Sequence, residues 1–265
     1  MQRKSIPLIV VVLLGLTSVL WSQDQGREFH WTGKLAADKV VEIKNVNGSI
    51  EAAPASGDEI EVNADKSGPK ADQVKIEVVQ SGEGVTICAI YPSSFFGGSS
   101  GPCQQGNSWH SSNIHGDNTK VNFTVKLPKN LRFSAQTVNG GVTAEDLGRF
   151  VRATSVNGSI RVSTAAWAQV ETVNGSITAS MGTAAWDGTL KINSVNGSVK
   201  IEFPDDLNAD VKFSSVNGRI SSDFPITISG GFVGHSAHGT IGKGGRALVI
   251  ETVNGSVDLK KRGSI

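Results

Sequence analysis

Thr154-Ser155-Val156-Asn157-Gly158-Ser159-Ile160-Arg161-Val162 is followed 17 positions later by Glu171-Thr172-Val173-Asn174-Gly175-Ser176-Ile177-Thr178-Ala179. The tripeptide Val-Asn-Gly occurs seven times, at Asn47-Gly48, Asn139-Gly140, Asn157-Gly158, Asn174-Gly175, Asn196-Gly197, Asn217-Gly218 and Asn254-Gly255. Ser or Thr precedes the Val in every copy but the first, where Asn45 stands, and Ile or Val follows three positions after each Asn. From Asn139 onward the step is 16 to 22 residues, provided that His238-Gly239-Thr240-Ile241 counts as a degenerate copy. A recurring unit of this length is one supersecondary element stacked on its neighbours. In an extended chain Val156, Gly158, Ile160 and Val162 fall on one side and Asn157 and Ser159 on the other, which places the β-branched residues inward.

Two architectures accommodate the unit. In a meander, Asn-Gly is the two-residue turn of a hairpin, with positive φ at both positions. In a β-solenoid it is a corner, and Asn stacks on Asn along the axis. Independent hairpins have no reason to repeat Ser/Thr before the Val and Ile/Val after the Gly, whereas stacked coils do, because each residue packs on its own counterpart. The expectation is therefore an all-β β-solenoid of 16–22-residue Val-Asn-Gly repeats. A second repeated corner, Thr164-Ala165-Ala166-Trp167 and Thr183-Ala184-Ala185-Trp186, lies 19 positions apart.

The 265 residues carry 25 Lys+Arg against 24 Asp+Glu and 31 Gly, which suits one or two strand-rich domains. Near-neutral charge gives no field for nucleic acid, so no nucleic-acid partner is expected. Arg3 and Lys4 precede an apolar run from Ile6 to Leu20, the layout of a secretory signal and too short for a spanning helix. Residues 1–23 are read as that signal, cleaved after Ser22 or Gln23, with no membrane span afterwards. Leu20 or Trp21 would then stand where a small residue is preferred, so retention as an anchor is the alternative. Residues 24–130 form a strand-rich part with candidate strands at 59–64, 74–79, 85–90 and 120–127, and residues 131–262 form the tight repeats. In an exported chain Cys88 and Cys103 are expected to pair, closing a Ser/Gly-rich loop within 88–118. Lys260, Lys261 and Arg262 would shield the last coil from edge-to-edge pairing.

Residues 215–225, 239–245 and 248–257, together with the opening 41–50, resemble the bacterial putative-adhesin β-strand-repeat family, exported domains similar to autotransporter adhesin heads. The likeness runs from about residue 27 to 261 and implies a right-handed β-solenoid without established catalytic residues. It points to an exported, periplasmic or surface-located module of the cell envelope. The stretch 88–118 is longer and richer in Ser and Gly than the resemblance leads one to expect.

Candidate chemistry is sparse. No catalytic residue, cofactor or metal site is assigned. His110, His115 and Asp117 share one loop and His235 and His238 are three apart, but neither spacing matches a ligand signature, and the expectation is solvated histidines. Asp205 and Asp206 would point apart in a strand, and Asp146, Asp187 and Asp223 are isolated, so a polysaccharide-active β-helix enzyme is the runner-up. Gly242-Lys243-Gly244-Gly245 lacks the Ser/Thr and upstream Gly of a phosphate loop and reads as a turn. Five Asn-Gly-Ser matches to a glycosylation site are incidental to the corner. Trp167 and Trp186 either fill the repeated corner or stack on sugar rings, and the first reading is favoured. The partners expected are an extended glycan or an envelope protein, with self-association through uncapped coils as a third option.

Overall fold

The computed structural model describes residues 22–92, 103–106, 118–228 and 236–263. These build two 11-stranded sheets, and the helical content among them is one 3-10 turn at Ala71–Gln73. Each Val-Asn-Gly copy joins a strand of the first sheet to a strand of the second. Arg132–Asn139 leads to Val142–Leu147, Val151–Asn157 to Ile160–Thr164, Ala168–Asn174 to Ile177–Met181, and Thr189–Asn196 to Val199–Phe203. Successive strands within each sheet pair in parallel, with Asn opposite Asn and Ile or Val opposite Ile or Val. The architecture is solenoid-like, with one strand per sheet in each rung.

Spatial order departs from chain order. Arg246–Asn254 and Val257–Lys261 insert between the Thr189–Phe203 rung and the strands Ala209–Asn217 and Ile220–Ser222. The rung of Val40–Lys44 and Ile50–Pro54 lies beside Arg132–Leu147, and Gly84–Ile90 with Lys120–Leu127 lies beyond it. Antiparallel strands close both ends. Lys75–Ser81 pairs with Gly84–Ile90, and Ile60–Ser67 and Glu28–Gly33 extend the other sheet. At the far end Ser236–Ile241 lies antiparallel to Ala209–Asn217. His238-Gly239-Thr240-Ile241 is thus a closing strand rather than a degenerate corner; it lacks the Asn of the ladder, and Ser236, at the position of the corner hydroxyl, meets Ser214 Oγ at 3.4 Å instead of a corner carbonyl. The strand that carries Lys260 and Lys261 is not the end of its sheet, because Val257–Leu259 is paired on both sides, and Lys260 Nζ donates to Asp223 at 3.0 Å.

The inner faces hold the core. Ile50, Val142, Ile160, Ile177, Val199 and Val257 are buried one above another behind the corner, and Val121, Phe123, Val125 and Leu127 alternate inward along their strand. At the corner itself the simple alternation fails. Val156, Val173, Val195, Val216 and Val253 are exposed, and the Ser or Thr before each is buried. Where the chain bends from one sheet to the next, Val and Asn both lie on the convex side, so parity slips by one.

The buried hydroxyl has a fixed partner. Ser155 Oγ donates to Gly140 O at 2.9 Å, Thr172 to Gly158 O, Ser194 to Gly175 O, Thr252 to Gly197 O and Ser215 to Gly255 O, all at 2.8–2.9 Å. Asn45 does the equivalent in the first copy, its Nδ2 donating to Val121 O at 2.7 Å. From Gly140 onward each corner glycine sits directly over the glycine of the adjoining rung, and Gly48 sits over Val121 O. A Cβ on Gly158 would lie 2.0 Å from Gly140 O, and one on Gly175 would lie 2.2 Å from Gly158 O. Close approach demands glycine here, and no corner Asn has a positive φ, which excludes the hairpin-turn geometry.

Gly175→Ala is expected to lose at least about 3 kcal/mol in urea unfolding, because the obstacle is backbone that cannot move away. Gly57→Ala, with nothing within 4 Å of the new methyl, should stay within about 0.5 kcal/mol. Ser194→Ala strands a buried carbonyl and should cost roughly 1–3 kcal/mol, whereas Ser194→Thr keeps the hydroxyl and recovers most of it.

Candidate functional site

The corner presents two parallel columns to solvent. In one, the Asn side chains form a continuous amide ladder: Asn139 Nδ2 donates to Asn47 Oδ1, Asn157 to Asn139, Asn174 to Asn157, Asn196 to Asn174, Asn254 to Asn196 and Asn217 to Asn254, at 2.7–2.8 Å. Beside it runs the valine column, where Val156, Val173, Val195, Val253 and Val216 are 38–50% exposed. Both columns repeat at the strand spacing of about 4.8 Å. From Asn139 onward each Asn spends one amide hydrogen on the ladder and keeps the other, with a spare oxygen lone pair, for an external partner, whereas the buried Asn47 donates to Thr119 O.

The columns close at one end. Val46 and Asn47 are buried, Tyr91 Oη donates to Asn47 O at 2.9 Å, and burial pushes the Tyr91 phenol well above its ordinary range. Next to this cap the segment 103–106 lies over the outer face of the first sheet, tied down by the Cys88–Cys103 disulfide. Beneath it Glu42, 2% exposed, meets Lys44, fully buried, at 3.6 Å. The Glu42 carboxylate also accepts from Thr86 Oγ1 at 3.2 Å, Gly106 N at 3.1 Å, Ser134 Oγ at 3.4 Å and Gln136 Nε2 at 3.2 Å. Lys44 Nζ donates to Gln104 O. Burial lowers the Lys44 pKa, and the neighbouring Glu42 carboxylate opposes that shift.

The tryptophans do not form a stripe. Trp186 is 1% exposed, packs on Phe203 and donates Nε1–H to Ala247 O at 3.0 Å, so it cannot touch a glycan. Trp167 is half-buried against Phe150, with ring centroids 4.3 Å apart. The acids stay dispersed: Asp223 pairs with Lys260, Asp146 accepts from Ser163, and Asp206 lines a shallow recess with Asn208 and Arg246. Among the described residues no three His, Cys, Asp or Glu side chains converge on a metal-sized site. His110, His115, Asp117 and His235 lie outside the described residues, as does the signal segment 1–21; His30 faces Asn63 at 2.7 Å. In the turn at Gly242–Gly245 the backbone N–H groups of Lys243 and Gly245 are taken by Asn208 and Asp210, leaving no phosphate cradle. No helix among the described residues is long and apolar enough to cross a membrane.

Glu42, Lys44, Arg152 and Phe150 carried no motif. One signal was present: Cys88 lies opposite Lys44 across the paired strands, so the disulfide had to draw its loop over the face that Glu42 and Lys44 share.

Six corners repeat hydroxyl, valine, asparagine and glycine, and the seventh has Asn45 in place of the hydroxyl. Residues 147–260 match the Toastrack DUF4097 family. This match fits the adhesin-like strand-repeat resemblance of the C-terminal repeats. No curated protein matches the chain. Among solved structures the chain is similar to a putative cell adhesion protein from Clostridium sporogenes ATCC 15579, at 9% identity and a TM-score of 0.47, over 89% of this chain and 100% of that one. It is also similar to a putative adhesin from Bacteroides fragilis NCTC 9343, at 11% identity and a TM-score of 0.34, over 89% and 97%. A third, a putative lipid binding protein from Parabacteroides distasonis ATCC 8503, gives 11% identity and a TM-score of 0.23, over 89% and 97%.

Reducing the disulfide should cost about 3 kcal/mol of stability, as expected for a loop of this size. It should also release the strap from the Lys44 amine. Amine-reactive labelling read by mass spectrometry is expected to leave Lys44 untouched in the oxidised protein and to modify it after reduction, while Lys34, exposed throughout, labels equally in both.

Proposed function

We propose that the protein is an exported, non-enzymatic binding module of the bacterial envelope or surface, and that it lays an extended glycan along the corner shared by its two sheets. The observation that carries this reading is the paired valine and asparagine columns, uniform over five consecutive rungs. A polymer made of one repeating unit meets the same apolar contact and the same amide at every step. Individually weak contacts then add through multivalency. The valine methyls suit the C–H faces of sugar rings, and the amides suit their hydroxyls.

The dispersed acids support binding over cleavage. Antiparallel closing strands at both ends, and outermost strands of three residues at Ile220–Ser222 and Ile226–Ile228, blunt end-to-end stacking and weigh against a polymer of this chain. The coil is taken as right-handed, following the general preference of parallel crossover connections. Residues 1–23 act as the export signal in this reading.

The test is to incubate the folded chain with insoluble envelope and plant polysaccharides, scoring retention and newly released reducing or unsaturated ends together. Retention without release is expected. The triple variant Val173→Ser, Val195→Ser, Val253→Ser, which changes only exposed side chains, should lose at least tenfold in retention while unfolding within about 1 kcal/mol of the parent. Release of ends that survives repurification would overturn the non-enzymatic reading.

A further inference from the structure

The outer face of the first sheet does not end blankly at the strap. Between the strap and the next rungs lies a recess of about 170 Å³. Three adjacent strands supply its floor, because Glu42, Ser134 and Arg152 stand side by side in register. Gln136 rises on one side, and Arg132 and Phe150 form the other. The volume is below the roughly 300–1,000 Å³ of sites for drug-sized ligands, so it has room for a single six-membered ring and not for an oligomer.

The charges in this recess are unequally committed. Glu42 is neutralised by Lys44 and accepts four further hydrogen bonds, so its negative charge is spent inside the protein. Arg132 Nε donates to Asp38 O at 2.6 Å, and the Asp38 carboxylate is held by Arg149 at 3.4 Å. Arg152 is exposed and makes no ion pair among the described residues, which leaves the recess with surplus positive charge. The Phe150 ring, braced by Trp167, adds an aromatic wall. A guanidinium beside an aromatic face, with a hydroxyl and an amide close by, suits a ligand that is at once carboxylated, apolar on one face and rich in hydroxyls.

We propose that this recess is a subsite for one carboxylate-bearing sugar residue, of the uronic acid type, in the glycan that the corner binds, reached about 13 Å along the strands from the valine column. The proposal rests on the glycan-binding reading above and narrows it to an acidic polymer. Arg152 takes the carboxylate as a planar fork, Ser134 Oγ accepts from a ring hydroxyl, and Phe150 covers the C–H face. A neutral sugar would leave Arg152 without a partner.

The test is calorimetric titration of the folded chain, in low salt, with a galacturonate trimer and with its fully methyl-esterified counterpart. The acid form is expected to bind roughly tenfold tighter than the ester, a preference that shrinks as salt is raised. Arg152→Gln, at an exposed position, should abolish that preference, Arg152→Lys should restore only part of it, and Phe150→Ala should weaken both ligands. Equal binding of acid and ester, or an unchanged preference in Arg152→Gln, would overturn the subsite. If neither trimer binds while insoluble neutral glycans are still retained, the subsite fails and the binding module stands. If trimers and insoluble glycans all fail to bind, the reading beneath it falls as well.

Discussion

Every rung depends on how closely one corner approaches the next. A glycine stands over the carbonyl of the glycine below it, at a distance no Cβ could share. That carbonyl turns inward from the bend and would be an unsatisfied buried acceptor, so the Ser or Thr two positions before the Asn must deliver a hydroxyl to it. On the convex side the same approach brings the Asn amides to hydrogen-bonding distance and closes the outer ladder. The three conserved-in-chain features of the repeat are therefore one constraint seen from three sides, and a change at any of them exposes the others to an unmade bond.

The bend also decides what the protein shows to solvent. The Val keeps the outward side of its own strand and the Asn, which strict alternation would have turned inward, joins it on the convex side, so an apolar side chain is left half-exposed at five successive rungs. A single exposed valine is unremarkable on any protein surface. Five in register, backed by a rigid ladder of amides, make a surface with a direction and a repeat. Such a face favours a ligand that also has a direction and a repeat.

The strap end follows different rules. Here the outer face of the first sheet is covered, and a charged pair lies beneath, which is expensive unless hydrogen bonds satisfy it. Glu42 meets that condition with hydrogen-bond partners from two neighbouring strands and the strap, and Lys44 reaches the strap carbonyl of Gln104. A buried pair of this kind contributes little net stability. It does fix where the strap lies, and that position shapes the recess beside Arg152.

The solenoid-like order, the corner at Asn-Gly and the stacking of like on like were legible in the sequence, since a repeat must satisfy the same contacts in every copy. The strands at 120–127 and around 59–90 were legible from alternation. The direction in which Val156 and its counterparts point was not, because a two-residue period assumes a straight strand and the corner bends. Nor was the insertion of the Asn254 rung between those of Asn196 and Asn217, because identical corners are interchangeable neighbours and chain order does not select among them. Trp167 and Trp186 repeat in sequence, yet one is sealed in the core and the other rests half-open on Phe150, since the residues that surround a corner differ from rung to rung. The chain by itself determined the chemistry of each corner through local hydrogen-bonding and steric demands. Only the tertiary structure decided which rungs adjoin, which face stays open and which charges meet under the strap, because these depend on residues far apart in sequence being brought into register.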